Sequence, residues 1–118
     1  MPSYSRQLLS GSTNGRTIPV AATVTPGTLV HQALAGSTGY DEVYFWVSNV
    51  TNAARLLTIE WGGTGDPADH MGKQISIPAN SPPIPIGTGQ VLQNGLSVRA
   101  FADVANALNI TGYVNRIS

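Results

Sequence analysis

The run Asp41-Glu42-Val43-Tyr44-Phe45-Trp46-Val47-Ser48-Asn49 decides the fold class. Its β-branched and aromatic residues crowd together as a strand requires, with Val43, Phe45 and Val47 on one face and Tyr44 and Trp46 on the other. Both faces are apolar, so both are expected to be covered. Aromatic side chains dominate cores, so Tyr44, Trp46 and Trp61 are read first as core residues; exposed on a small β-sandwich, the same rings would stack on a sugar. The next run, Arg55-Leu56-Leu57-Thr58-Ile59-Glu60-Trp61, alternates Leu57, Ile59 and Trp61 against Leu56, Thr58 and Glu60, the pattern of a half-buried strand. Only Val50 to Ala54 separates the two runs, which is short enough for a hairpin, so they are expected to pair antiparallel.

Working outward, residues 17–24 read as a strand that Pro19 confines to an edge. Thr25-Pro26-Gly27-Thr28 supplies Pro and Gly as a type II turn wants them, with Gly27 at positive φ and residues 28–35 returning as the partner. Further strands are expected at 74–77, 90–92, 96–102 and 109–117, with Asn94-Gly95 as a tight turn. Asp103 to Leu108 could form a single helical turn or a loop. About eight short strands at regular spacing predict an all-β, two-sheet antiparallel β-sandwich of immunoglobulin-like or jelly-roll topology. Two segments fall outside the pattern. Residues 1–16 read as an extended N-terminal arm on a single sandwich domain at 17–118, and such an arm usually lies on a neighbouring molecule. Residues 77–89 carry Pro78, Pro82, Pro83 and Pro85, which forbid a central strand and favour a polyproline-like path.

The 118 residues fit one domain, and Leu, Ile, Val and Phe fill 29 positions, enough for a core. Six basic and six acidic side chains cancel, and Lys73 is the sole lysine, so the footprint of a nucleic-acid binder is missing. No run reaches the roughly 18 to 20 apolar residues that span a bilayer, and the N-terminal stretch has no signal-peptide core, so a soluble chain made in a cytosol is expected. Charged residues are only 10% of the chain. A polar, nearly uncharged exterior associates readily, which predicts a homo-oligomer or a larger assembly.

Chemistry is hard to find. The chain has no cysteine, which removes disulfides and thiol nucleophiles. His31 and His70 are the only imidazole bases; His31 sits in an apolar strand, where a structural role is the simpler reading, and no G-x-S-x-G elbow occurs. The loop from Gly62 to Lys73 gathers glycines, Asp66, Asp69, His70 and Lys73, yet Pro67 stands where a phosphate loop needs its first glycine and Gln74 where it needs Ser or Thr. It also lacks the alternating oxygen donors and closing glutamate of a calcium loop, so a solvated connection between two strands is expected. Asp41, Glu42 and Glu60 are too scattered to show a glycosidase pair. Asn49-Val50-Thr51 and Asn109-Ile110-Thr111 match the glycosylation sequon, read as accidental without a secretory signal. Arg16, Arg55, Arg99 and Arg116 are too dispersed for a phosphate clamp.

The stretches Leu56-Leu57-Thr58-Ile59-Glu60-Trp61-Gly62-Gly63, Ile77-Pro78-Ala79-Asn80-Ser81, Val91-Leu92-Gln93-Asn94-Gly95-Leu96 and Asn109-Ile110-Thr111-Gly112-Tyr113-Val114-Asn115-Arg116-Ile117 resemble small virion proteins of tailed bacteriophages, over residues 40–118. The resemblance implies a non-enzymatic β-sandwich that decorates or cements the capsid surface, commonly as a trimer. Its partners would be the major capsid protein or other virion proteins, met after synthesis in the bacterial cytoplasm. No catalytic, cofactor or metal residue comes with it. The contacts are assigned to the arm and the proline-rich segment, through Tyr4, Arg6, Leu8, Leu9, Arg16, Pro82, Pro83 and Ile84, because extended backbone can add to a neighbour's sheet edge. The alternatives are a head-to-tail or tail component, and a carbohydrate-binding or adhesion module that rests on the Tyr and Trp content.

Overall fold

The computed structural model describes residues 3–118. Among them it forms nine strands and no helix: β1 Tyr4–Leu8, β2 Ile18–Pro19, β3 Thr28–Gln32, β4 Tyr40–Asn49, β5 Arg55–Trp61, β6 His70–Ile77, β7 Ile84–Leu92, β8 Ser97–Ala102 and β9 Leu108–Ile117. They make two antiparallel sheets. One runs β1-β9-β4-β7 with β2 also on β9, and the other runs β3-β8-β5-β6. No helix of the described residues is long and apolar enough to cross a membrane.

The pairing has a simple logic. β5 pairs with β6, β4 with β7, β3 with β8, and β1 and β2 with β9, so every pair joins strands roughly equidistant along the chain from the β5–β6 turn. The chain is one long hairpin, rolled so that successive pairs fall in alternate sheets. This is the jelly-roll arrangement, and it decides between the two topologies that strand spacing left open.

β4 lies between β9 and β7 and alternates strictly, with Val43, Phe45 and Val47 at 0% exposure and Tyr44 and Trp46 half-buried. The core is completed from the facing sheet by Leu57, Ile59, Val98 and Ala100, and by Ile110 and Val114 of β9. A methyl group at Gly112 or Gly87 would press on the backbone or ring of Phe45, so both positions stay bare where β9 and β7 flank that ring.

Several expectations are corrected. The runs 41–49 and 55–61 do not pair, because both edges of β4 are taken by β7 and β9 and the chain crosses to the other sheet at Val50 to Ala54. Likewise β2 and β3 belong to different sheets, and β2 is only two residues long. Gly27 is not in the positive-φ region; a side chain there would meet the Ala100 carbonyl oxygen at 2.5 Å, so close approach selects the glycine. Residues 84–92 are a strand despite Pro85, tolerated because β7 is a sheet edge and its register against β4 shifts on both sides of Phe45. Of the two readings left open for Asp103 to Leu108, the loop is the one found, over 103–107. Asn94 and Gly95 do turn, at φ 62° and 71°, but they link strands of different sheets.

Residues 1–16 were expected as an arm lying on a neighbour. Met1 and Pro2 lie outside the described residues, and Tyr4–Leu8 is indeed extended, but it pairs in unbroken register with β9 of its own chain. Leu9 then turns inward and is 1% exposed, part of the core.

At the β4–β5 crossing, the Asn49 side chain acts as a bracket. Its Nδ2 donates to the carbonyls of Ala53 at 2.9 Å and Ile77 at 3.1 Å. Its Oδ1 accepts from the Thr51 N–H at 2.9 Å and the Thr51 hydroxyl at 2.7 Å. The side chain is thus consumed internally, whatever the sequon around it. Asn49→Ala is expected to lower unfolding stability by about 2 to 3 kcal/mol, since several buried polar groups lose their partner, and urea unfolding followed by tryptophan fluorescence measures it.

Candidate functional site

The alternation that buries Val43, Phe45 and Val47 turns Tyr44 and Trp46 outward, and β9 in matching phase turns out Thr111, Tyr113 and Asn115. Tyr44 stands directly opposite Tyr113, their rings stacked with centroids 5.1 Å apart, and Trp46 tilts toward the same ring at 6.1 Å. From β1 on the other side of β9, the Arg6 guanidinium lies 4.6 Å from the Tyr113 centroid. The row Arg6–Tyr113–Tyr44 therefore crosses three strands as a rigid ladder of flat groups, with Trp46 beside it. This corrects the reading of Tyr44 and Trp46 as core residues: the two rings cover the outside of the sheet. Trp61 does pack against the core.

The residues assigned to contacts separate into groups. Tyr4, Arg6 and Leu8 project onto the same outer face, Tyr4 at 73% and Leu8 at 55% exposure. Leu9 is withdrawn from the contact set, because the chain needs it inside. Arg16 is exposed in the connection before β2. Pro82 and Pro83 are exposed and Ile84 packs partly against the core, but they lead into β7, the edge opposite β1. The two contact segments are thus not brought together. Tyr113 was missed as a site residue, although its place out of phase with Ile110 and Val114 in a strand pattern was the available signal.

Where the two sheets meet at one end, a charged cluster is buried between them. Asp41 on β4 accepts from Arg116 on β9 through Nε at 2.9 Å and through a terminal nitrogen at 3.0 Å, and lies 2.7 Å from Nε2 of His31 on β3. The Ser10 backbone N–H donates to His31 Nδ1 at 3.0 Å. Nδ1 must therefore be unprotonated, and Nε2 carries the hydrogen that meets Asp41. Serine, histidine and aspartate do converge here, but the Ser10 hydroxyl accepts from the Gln32 N–H and it is the Ser10 amide that meets the imidazole. Burial, the largest influence, and the nearby Arg116 charge together lower the His31 pKa against the raising effect of Asp41. For Asp41, burial pushes upward, but the hydrogen bonds and charges of Arg116 and His31 together outweigh it and hold the carboxyl below its ordinary range.

A second buried carboxylate pins a loop. Glu60 is 0% exposed although it points away from the core; it accepts from the Thr25 hydroxyl at 2.5 Å and the Gly27 N–H at 2.7 Å. Arg99 on the neighbouring strand donates to the Gly27 carbonyl at 3.1 Å. The segment around Gly27 is thereby clamped over the outer face of the four-stranded sheet.

The glycine-rich loop is the β5–β6 hairpin connection. Lys73 pairs with both Asp66 oxygens, at 2.9 and 3.0 Å, and this hydrogen bond lowers the Asp66 pKa. The Gly65 N–H donates to Asp69 at 2.9 Å, and His70 Nδ1 lies 3.5 Å from Asp66, outside hydrogen-bond geometry. Among the described residues no three His, Asp or Glu side chains converge to hold a metal ion. Trp61, Asp69, His70, Met71 and Gln90 line a shallow depression of about 220 Å³ beside the loop.

Compared with known protein families, curated proteins and solved structures, the chain has no match.

The buried cluster makes stability depend on pH with a definite sign. His31 has a lower pKa folded than its ordinary value of 6.5, so the unfolded chain binds protons first and stability falls as pH drops below about 6.5. Asp41, also lowered, adds a further loss as pH falls below about 3.8, its ordinary value. Urea unfolding from pH 8 to pH 4 is expected to show the first decline. His31→Gln should remove that decline, at the cost of a lower plateau at neutral pH.

Proposed function

We propose that this chain is a non-enzymatic virion structural protein of a tailed bacteriophage, which decorates or cements the capsid by binding assembled capsid subunits. The observation that carries the reading is the outer face of the β1-β9-β4-β7 sheet, where Tyr44, Trp46, Tyr113 and Arg6 lie side by side with Glu42 as the only acid. Protein interfaces are enriched in Tyr, Trp and Arg and depleted in Lys, Glu and Asp, and their strongest contributors are such packed rings. The three rings of this face are half-buried and held by cross-strand stacking, so docking on them costs little side-chain ordering. A jelly roll is used by viral capsid domains and by lectins alike, so topology supports a virion role without deciding it. A protein that binds only the assembled lattice stabilises that state by mass action and needs no active site. A head-to-tail or tail position would use the same face.

A carbohydrate-binding module is the second reading, and the depression at Trp61 favours it, because an indole beside Asp69, His70 and Gln90 is the mixture that grips a sugar. The outer face does not favour it. Tyr44 and Arg6 approach Tyr113 from strands on either side, leaving little open ring surface for a pyranose.

Co-sedimentation of the purified chain with phage heads assembled without it tests the first reading. The double variant Trp46→Ala, Tyr113→Ala is expected to weaken binding about tenfold or more, as loss of packed interface rings does, with its fold retained by circular dichroism. Undiminished binding by that variant would refute the assignment of the face. Glycan binding abolished by Trp61→Ala would favour the second reading.

A further inference from the structure

We propose that β1 pairs antiparallel with β1 of a second copy, joining two five-stranded sheets into one across a two-fold axis. The inference concerns the purified chain alone and stands independently of any capsid.

Five strands stand at sheet edges: β1 and the two-residue β2, both on β9, and β7, β3 and β6. Four are blunted. β2 is short and ends in Pro19. β7 contains Pro85 and shifts register against β4; β3 shifts between Leu29 and His31; β6 shifts twice against β5 and carries Lys73 and a left-handed Gln74 at φ 51°. Such features keep a sheet edge from adding a strand. β1 has no proline, no register shift and no left-handed residue; its one charge is Arg6, and its sequence Tyr-Ser-Arg-Gln-Leu pairs with β9 without a break.

The backbone shows which groups are free. Ser3 and Ser118 exchange both N–H···O bonds, at 2.8 and 2.9 Å. In an antiparallel ladder exchanging pairs alternate, so Ser5 and Gln7 bond inward to β9 while the N–H and C=O groups of Tyr4, Arg6 and Leu8 face the open edge. The most exposed large apolar side chain among the described residues, Tyr4 at 73%, stands on this same edge with Leu8 at 55%.

Side-chain chemistry then chooses the occupant and the register. Pairing centred on Arg6 would set Arg6 against Arg6, and like charges directly opposite are destabilising. Pairing centred on Ser5 sets Tyr4 against Arg6 of the second copy, twice by symmetry. Arg6 already rests on Tyr113 at 4.6 Å, and Tyr4 of the second copy would offer it another ring. The aromatic row of one copy then runs across the seam into the other. Because the contact is isologous it closes as a dimer, in place of the trimer that the virion resemblance implies.

The test uses the absence of cysteine from the sequence. In the Ser5-centred register the two Ser5 residues form a non-hydrogen-bonded pair with Cα atoms about 4.5 Å apart, within the range a disulfide spans. Ser5→Cys is expected to oxidise to a covalent dimer, while Ser37→Cys, in an exposed loop, is not. Sedimentation velocity should show a concentration-dependent dimer. Arg6→Pro, which removes an outward N–H and no bond to β9, should raise its dissociation constant about tenfold or more. A wild-type chain that stays monomeric while Ser5→Cys oxidises no faster than Ser37→Cys overturns the proposal, and so does a trimer that Arg6→Pro leaves intact. Head binding by a strictly monomeric chain would overturn this pairing and leave the capsid reading standing.

Discussion

The capture of β4 by β9 on one side and β7 on the other is the constraint from which the rest of the molecule follows. Once both edges of β4 are satisfied, β5 has no place beside it and must cross to the opposite sheet, where β6 and β8 receive it. The same pairing sets the phase of the strand. Val43, Phe45 and Val47 go to the core, and Tyr44 and Trp46 are left on the outside, where Tyr113 in register on β9 stacks against the first of them. A shift of one residue would exchange the two faces and bury the hydroxyls of the tyrosines in place of Phe45.

A chain with so few charges uses many of them internally. Asp41 is buried with His31 between the sheets and capped by the half-buried Arg116, Glu60 and Arg99 clamp the segment around Gly27, and Asp66 is held by Lys73 on the surface. Asp103 accepts from the Leu56 N–H. Truncating one partner of the buried cluster would leave the others desolvated without compensation, which makes these groups strict about geometry rather than strong sources of stability. The exterior that remains is polar, aromatic in one place, and short of fixed charge.

Local pattern made much of the architecture legible. Alternation in 41–49 and 55–61, the turn at Asn94-Gly95 and the loop nature of 62–69 all correspond to structure, because each depends on residues close together in sequence. Pairing did not. The inference that 41–49 and 55–61 form a hairpin used the shortness of the connection, whereas Asn49 brackets a crossing between sheets within the same few residues. Leu9 shows the same limit: a lone Leu-Leu in a polar segment gave no sign that one leucine enters the core and the other stays on the surface. Nor could spacing reveal that Arg6 reaches Tyr113, since more than a hundred residues separate partners that β1–β9 pairing makes neighbours.

By itself the sequence determined that this is an all-β protein of short strands with period-two alternation along 41–49 and 55–61 and few charges, since side-chain period and composition are properties of the chain alone. Tertiary structure decided which strands are neighbours, and hence the jelly-roll topology, the outward turn of Tyr44 and Trp46, the burial of Asp41 with His31, and the open edge at β1. The physical reason is that a strand's hydrogen-bonding groups are the same whatever its partner, so partner choice is made only when the faces of all the strands compete for one core.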